Sequence, residues 1–275
     1  MKRPYLPTNL EHWLTVYEWK EQQNIFGMFS LFERIVSLIG KPPDDVWVCR
    51  AGEWKGKDYK YRNFLKLDVI HRDDWANLSY DWRRQPDARL YLAASVSVSL
   101  DLGKSVSVHI DEAATTDVEL VYEAAISTIC ERLQPLYGMG FAVPYSWQAH
   151  SFVAGQGSGY IGPETGLLYD SAAAFCIRGL NAGRILRDTP RVLDRKIRDV
   201  FEINLLSEKH LACIIEGKNL ESWIAHENPG SLRKITPVTW RWDIPKKKLP
   251  AVRKSVIAAN LVADPFWTEL GWIDN

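Results

Sequence analysis

Residues 90–110 read LYLAASVSVSLDLGKSVSVHI. Val96, Val98 and Leu100 alternate with Ser95, Ser97 and Ser99. After Asp101-Leu102-Gly103-Lys104 the alternation resumes at Val106, Val108 and Ile110. Successive side chains of a strand point to opposite faces, so a period of two on both sides of a short Gly-containing turn predicts a β-hairpin. Its valine face should be buried and its serine face wetter.

Downstream, Thr116 or Asp117 is placed to cap a helix running to about Tyr137. Leu120, Val121, Ala124, Ala125, Ile129 and Leu133 recur at helical spacing, and Gly138 and Gly140 form the stop. A strand is expected within Phe141 to Val153, a Gly-rich loop at 155–166 (GQGSGYIGPETG) and a small-residue helix around Ala172 to Leu180. Pro190 to Val200 reads as a helix with proline in its first turn, and Phe201 to Leu206 as extended chain. Leu220 to His226 is a short helix stopped by Asn228-Pro229-Gly230. Leu232 to Ile244 is a strand in which Val238, Trp240 and Trp242 alternate, and Leu249 to Leu261 is an amphipathic helix.

Upstream, Asn9 to Gly40 carries helical spacing at Leu10, Trp13, Leu14 and Tyr17, then at Phe29, Phe32, Ile35, Val36 and Ile39. Asn24 and Gly27 divide it into two helices, and Gly40 with Pro42 and Pro43 ends it. Residues 44–86 are less regular, with a short strand at Val46 to Cys49. Strands and helices that alternate irregularly around a hairpin predict an α+β fold. That means an antiparallel or mixed sheet with packed amphipathic helices. The chain reads as one unit, 1–275; if it has two halves, the loop at 155–166 is the seam.

Composition bounds the function. The chain has 275 residues, with 34 Lys+Arg against 34 Asp+Glu. A net charge of zero argues against nucleic acid and against a polybasic membrane-surface protein. Charged residues at 25% and apolar residues at 46% are those of a soluble globular protein, and 12 Trp stand out. Cys49, Cys130, Cys176 and Cys213 lie too far apart for a zinc ribbon or a redox pair, and Cys130 and Cys176 read as buried apolar residues. The N-terminal MKRPYLPTNLEHW lacks the apolar core of a secretory signal, and no apolar run reaches the ~20 residues of a membrane span. The expected compartment is a reducing cytoplasm.

No stretch carries a catalytic or metal-binding signature. His210 and Cys213 lie three apart but lack nearby co-ligands, and read as an exposed histidine and a buried cysteine. Gly155-Gln156-Gly157-Ser158-Gly159 lacks the third glycine of a dinucleotide fingerprint, which falls on Tyr160, and no Walker lysine follows. The doublets Asp44-Asp45, Asp73-Asp74 and Asp111-Glu112 read as solvated loop charge, since neighbours on a strand point to opposite faces. No cofactor and no metal is expected, and the protein reads as a non-enzyme.

The aromatic, charged stretch from Trp54 to Trp82 is the candidate partner surface, because Trp and Tyr are frequent interface anchors. Its candidate contacts are Trp54, Tyr59, Asp73, Asp74, Trp75 and Trp82, with the acids facing a basic partner. The competing assignment is that these rings are core. Lys55, Lys57, Lys60, Arg62, Arg83 and Arg84 interleave with them, but the accompanying acids weaken a single-stranded nucleic-acid reading.

Residues 197–211, IRDVFEINLLSEKHL, resemble a segment of the type VI secretion immunity-type family, whose usual form is I-R-G-V-x-W-L-N-F-L-x-x-x-L. Ile197, Arg198, Val200, Asn204 and Leu206 fit; Asp199 stands for the usual Gly and Glu202 for the usual Trp. Ser158-Gly159-Tyr160 is similar to the family's S-G-Y element, and Leu249-Pro250-Ala251-Val252-Arg253 to its L-P-x-Y-R start of the last helix. The resemblance implies a cytoplasmic α+β protein that binds and neutralises a cognate secreted toxin, with no catalytic residues to carry over. Asn204 has a structural assignment beside it, in which its side chain satisfies backbone groups at a strand or turn end. The alternative function is a small-molecule-binding protein or enzyme with its site beside the loop at 155–166.

Overall fold

The computed structural model describes residues 10–19, 25–50, 56–66, 75–84, 92–100, 104–144 and 195–262. The chain divides into two compact units, Glu11–Pro135 and Leu136–Asn275 together with Met1–Leu10. The loop at 155–166 and the expected helix at 172–180 lie outside the described residues.

The first unit runs β1 (Leu10–Trp19), α1 (Ile25–Ile39), β2 (Asp45–Arg50), β3 (Lys57–Lys60), α2 (Tyr61–Phe64), β4 (Trp75–Arg83), β5 (Leu92–Ser99), β6 (Ser105–Ile110) and α3 (Val118–Leu133). Its strands lie in the order β1-β6-β5-β4-β2-β3, and every pair is antiparallel. The expected hairpin is β5–β6, with Val96 opposite Val108 and Ser97 opposite Ser107. Its valine face is inaccessible to solvent, and α1 and α3 pack against this part of the sheet. The serine face is drier than expected: Ser95 and Ser107 are buried, and Ser97 and Ser99 half-buried.

Three expectations need correction here. Leu10–Trp19 is a strand, not a helix. It is buried on both faces at its centre, so apolar residues occupy both parities and Leu10, Trp13, Leu14 and Tyr17 fall at helical spacing by coincidence. The α3 helix begins where expected, with the Asp117 carboxylate accepting from Leu120 N at 3.2 Å. It ends four residues earlier than Tyr137, because Gln134 adopts the left-handed conformation at φ 48° and Pro135 opens the next strand. Finally, 75–83 is a regular strand, with Ala76, Leu78, Tyr80 and Trp82 buried at a period of two.

Aromatic packing fixes the helices to this sheet. Phe32 meets Tyr80 edge-on at 5.2 Å, and Phe64 stacks near Trp75 at 6.0 Å. Glu33 of α1 accepts hydrogen bonds from Tyr61 Oη at 3.0 Å and Tyr80 Oη at 3.2 Å. Burial, with Glu33 beside it, pushes the Tyr61 hydroxyl up to about 12. Gly56 is required by close approach, since a Cβ there would lie 2.1 Å from the Trp47 ring.

The second unit runs β7 (Pro135–Pro144), β8 (Ile203–Leu206), α4 (Glu208–Leu211), β9 (Ile214–Ile215), β10 (Lys218–Asn219), α5 (Leu220–Glu227), β11 (Ser231–Lys234), β12 (Trp240–Asp243), a 3-10 turn at Lys246–Lys248 and α6 (Leu249–Ala258). Four strands pair antiparallel in the order β11-β12-β8-β7. The β9–β10 ribbon closes on Glu216 and Gly217 at φ 50° and 77°, the two positive values that a tight hairpin turn demands. The span Leu232 to Ile244 is two strands rather than one, reversed through a loop in which Thr236 Oγ1 accepts from Thr239 N at 3.0 Å. Residues 195–200 are not helical; Ile197 instead forms a parallel bridge with Val262. Gly138 and Gly140 lie within β7 rather than ending a helix. Both units are therefore sheet-dominated α+β structures. No helix among the described residues is long and apolar enough to cross a membrane.

Candidate functional site

The antiparallel register of the first unit gathers polar side chains on one sheet face. Trp13 lies opposite His109 and Thr15 opposite Ser107, while Ser95 and Ser97 continue the row on β5. Thr15 Oγ1 and Ser107 Oγ are 3.1 Å apart. At one end of this row Glu11, His109, Asp111 and Arg84 form a buried ion network. Glu11 Oε1 is 3.2 Å from His109 Nε2, and Trp13 Nε1 donates to Glu11 Oε2 at 3.0 Å. The Trp13 and His109 rings stack at 4.8 Å. Arg84 pairs with Asp111, whose other oxygen accepts from Ala113 N at 2.7 Å. Burial pushes the Glu11 carboxyl up, but His109, the Trp13 indole and the Arg84 charge outweigh it and hold Glu11 below its ordinary value. Burial wins at Asp111 and raises it despite Arg84 and His109.

The donor atoms of Glu11, His109 and Asp111 lie within 4.8 Å of one another, a spacing compatible with a bound divalent ion. Arg84 decides against that assignment. Its guanidinium pairs with Asp111 and supplies the compensating positive charge. The guanidinium therefore competes with any cation for Asp111. Asp111 is fully buried, which corrects the expectation that Asp111-Glu112 is solvated loop charge.

A second ion cluster sits where β2, β3 and β4 meet. Asp45 is buried, 2.8 Å from Lys60 Nζ and in contact with Arg83. It too was expected to be solvated. Asp81 lies directly opposite Asp45, and Ser79 Oγ donates to it at 2.6 Å. Burial pushes Asp81 up to about 6; the Ser79 bond lowers it and the neighbouring Asp45 and Asp58 raise it.

Of the candidate contact residues, Trp75 and Trp82 are core. They are 5% and 1% exposed, and Trp82 Nε1 donates to Lys41 O at 2.9 Å. Neither ring presents a face to a partner, which corrects their assignment as surface anchors. Tyr59 is half-buried beside Phe64 at 6.0 Å, with Lys57 Nζ 5.0 Å from its ring centre. Trp54, Asp73 and Asp74 lie outside the described residues.

The motif elements of the second unit converge on its interior. Asp199 is fully buried; its Oδ1 accepts from Val200 N at 2.7 Å and from Arg253 Nε at 3.0 Å. The segment beginning at Ile197 is thereby joined to the Leu249–Arg253 element. Tyr137 Oη accepts from Arg198 N at 3.0 Å. Asn204 Oδ1 accepts from Phe201 N at 3.2 Å while its Nδ2 donates to Phe201 O at 2.7 Å, the backbone-satisfying role foreseen for it. Ser207 and His210 form a reciprocal cap at the start of α4: His210 Nδ1 accepts from Ser207 N at 3.2 Å, and Nε2 faces Lys196 O at 3.3 Å. His210 is 1% exposed and Cys213 partly exposed, the reverse of the expectation. His210 also lines a small recess with Ile197, Leu206, Trp242 and Val256, which is almost wholly apolar.

No protein-family model and no curated protein matches the sequence. Among solved structures the chain is similar to the T6SS protein PA0821 of Pseudomonas aeruginosa. The TM-score is 0.55 at 17% identity, over 90% of this chain and 73% of that one. The two share a fold. At that identity the likeness speaks of architecture, and it extends across both units.

Sequence reasoning missed the Glu11–His109–Asp111–Arg84 network because its members come from three distant segments. One local signal was available. His109 stands at the serine parity of β6, and Asp111, directly after the strand, continues that parity. Their partner on β1 was hidden by the helical misreading of Leu10–Trp19.

Proposed function

We propose that the protein is an immunity protein of a type VI secretion system, one that binds a cognate secreted toxin and neutralises it by occlusion. The observation that carries this is the fold likeness to a T6SS protein over 90% of the chain. Segments 197–206 and 249–253, which resemble the immunity-type family, meet in the interior of the second unit, through a bond to Asp199 that the usual Gly of that family would not make. Among the described residues, the buried acid–histidine cluster of Glu11, His109 and Asp111 is engaged within itself and with Arg84, which suits a binding protein. Occlusion asks for a specific interface of ordinary size and no reacting group of its own.

The test is growth rescue. The product of the gene adjacent to this one is expressed in a sensitive host, with and without this chain, and the pair is co-purified. Toxicity that this chain suppresses, with a stoichiometric complex, is the expected result. A harmless neighbour that does not bind overturns the proposal.

A further inference from the structure

The chain is neutral overall, yet residues 195–262 hold 13 Lys and Arg against 7 Asp and Glu, a net of +6. Four of the exposed cations lie on the β11–β12 hairpin and the 3-10 turn after it, while Arg195, Lys209 and Lys254 lie elsewhere. Arg233 is 59% exposed and Lys246 57%, and Lys234 and Lys247 are also exposed. Lys248 is occupied: its Nζ donates to Asn228 O at the end of α5. Asp243 and Glu202 are already shared. Asp243 lies 2.7 Å from Arg241 Nε and 3.8 Å from Arg233 Nε, and Glu202 is 3.8 Å from Lys246. Positive charge is left over along this hairpin.

Among the described strands β11 is terminal in its sheet, with β12 on one side. A terminal strand offers a row of backbone donors and acceptors to an added strand, and lysines on it normally discourage indiscriminate pairing. The same lysines select for a strand that carries acids, because like charges opposite each other are disfavoured and opposite charges favoured. The register shows the spacing such a strand would meet. Leu232 and Lys234 share one face with Trp242 and Trp240, and Arg233 shares the other with Arg241.

Nucleic acid is the competing occupant for a basic surface. Stacking of bases needs open aromatic faces. Here Lys234 Nζ sits 4.4 Å from the Trp240 ring centre, and Trp223 and Trp242 are buried against each other. Among the described residues the charges also follow a strand edge that no strand pairs with, which suits an extended peptide.

We propose that the outer edge of β11 is a docking site for an acidic, extended segment of a protein partner, which adds to the sheet as a further strand. This rests on the proposed function in that the partner is taken to be the toxin. Strand addition supplies the affinity through main-chain bonds, and Arg233, Lys234, Lys246 and Lys247 supply selectivity and a fast, salt-sensitive encounter.

The experiment titrates the full chain with three labelled probes: a short peptide alternating Glu and Thr, its Lys and Thr counterpart, and a short DNA duplex. Arg233→Glu with Lys234→Glu is the test variant. Both residues are exposed, and an unchanged urea midpoint shows that the fold is kept. The acidic peptide should bind alone, perturb amide resonances at Ser231–Lys234 and weaken with salt. The double reversal should weaken it on the order of tenfold. Binding of the duplex without the acidic peptide assigns the surface to nucleic acid and overturns the proposal. No binding of any probe leaves the charges as protection of the edge and also overturns it. Rescue by a variant that no longer binds the peptide would sink this docking site while the immunity function stood; absence of any toxin would sink the function while the peptide result stood.

Discussion

Arg253→Met tests whether the two motif elements of the second unit are held together as described. Asp199 is fully buried and Arg253 14% exposed, with Arg253 Nε 3.0 Å from Asp199 Oδ1. Removing the guanidinium leaves a buried carboxylate without that compensation, a change that costs about 3–5 kcal/mol in interior pairs. The partial exposure of Arg253 places the expected loss at about 3 kcal/mol, against a total stability on the order of 5–15 kcal/mol. With a urea slope on the order of 3 kcal/mol/M, the midpoint falls by about 1 M. Trp223 and Trp242 lie in the same unit and report its unfolding by fluorescence. The double variant Asp199→Asn with Arg253→Met removes the stranded charge, so it should lose less than the sum of the single losses by about 1 kcal/mol or more. Additive losses, or a loss under about 1 kcal/mol for Arg253→Met, would refute the ion pair as the link.

Three further outcomes are expected. Glu11 is held below its ordinary value in the folded state, so its contribution is present above about pH 4 and lost as pH falls through the lower folded value; Glu11→Gln should cost about 2–3 kcal/mol at neutral pH and flatten the acid limb of a stability–pH curve. Asp81 has the opposite sign: raised to about 6, its ionised form costs stability increasingly between about pH 4 and pH 6, so Asp81→Asn should stabilise by about 1–2 kcal/mol at pH 7 and change little at pH 4. Asn204→Ala deletes both bonds to Phe201 and should cost about 2 kcal/mol, with faster hydrogen exchange at the Phe201 amide.

Local pattern was enough wherever one face of an element is buried. The Val/Ser alternation of 95–108 predicted the hairpin, and Thr116 or Asp117 the start of α3, of which Asp117 is the cap. Alternation at Ala76, Leu78, Tyr80 and Trp82 is present too, but it is obscured by the polar and charged residues of the surrounding stretch. Pattern failed at Leu10–Trp19, where both faces are covered and the only remaining clue was the concentration of aromatic and β-branched residues. The site was less legible than the fold. Doublets such as Asp44-Asp45 and Asp111-Glu112 look alike in sequence, yet Asp45 and Asp111 are buried and partnered by Arg83 and Arg84. That difference is set by strand register, over separations no local window spans. The aromatic residues chosen as anchors illustrate the same limit: Trp75 and Trp82 have the composition of an interface and the burial of a core.

Suppression of toxicity in a sensitive host is the decisive measurement for the proposed neutralisation of a secreted toxin. The adjacent gene's product is induced alone, with this chain, and with the chain carrying Arg233→Glu and Lys234→Glu. Full growth with the native chain, and impaired rescue by the reversed one, is the predicted result. A toxic neighbour whose effect the native chain leaves untouched, with no complex recovered, would contradict it.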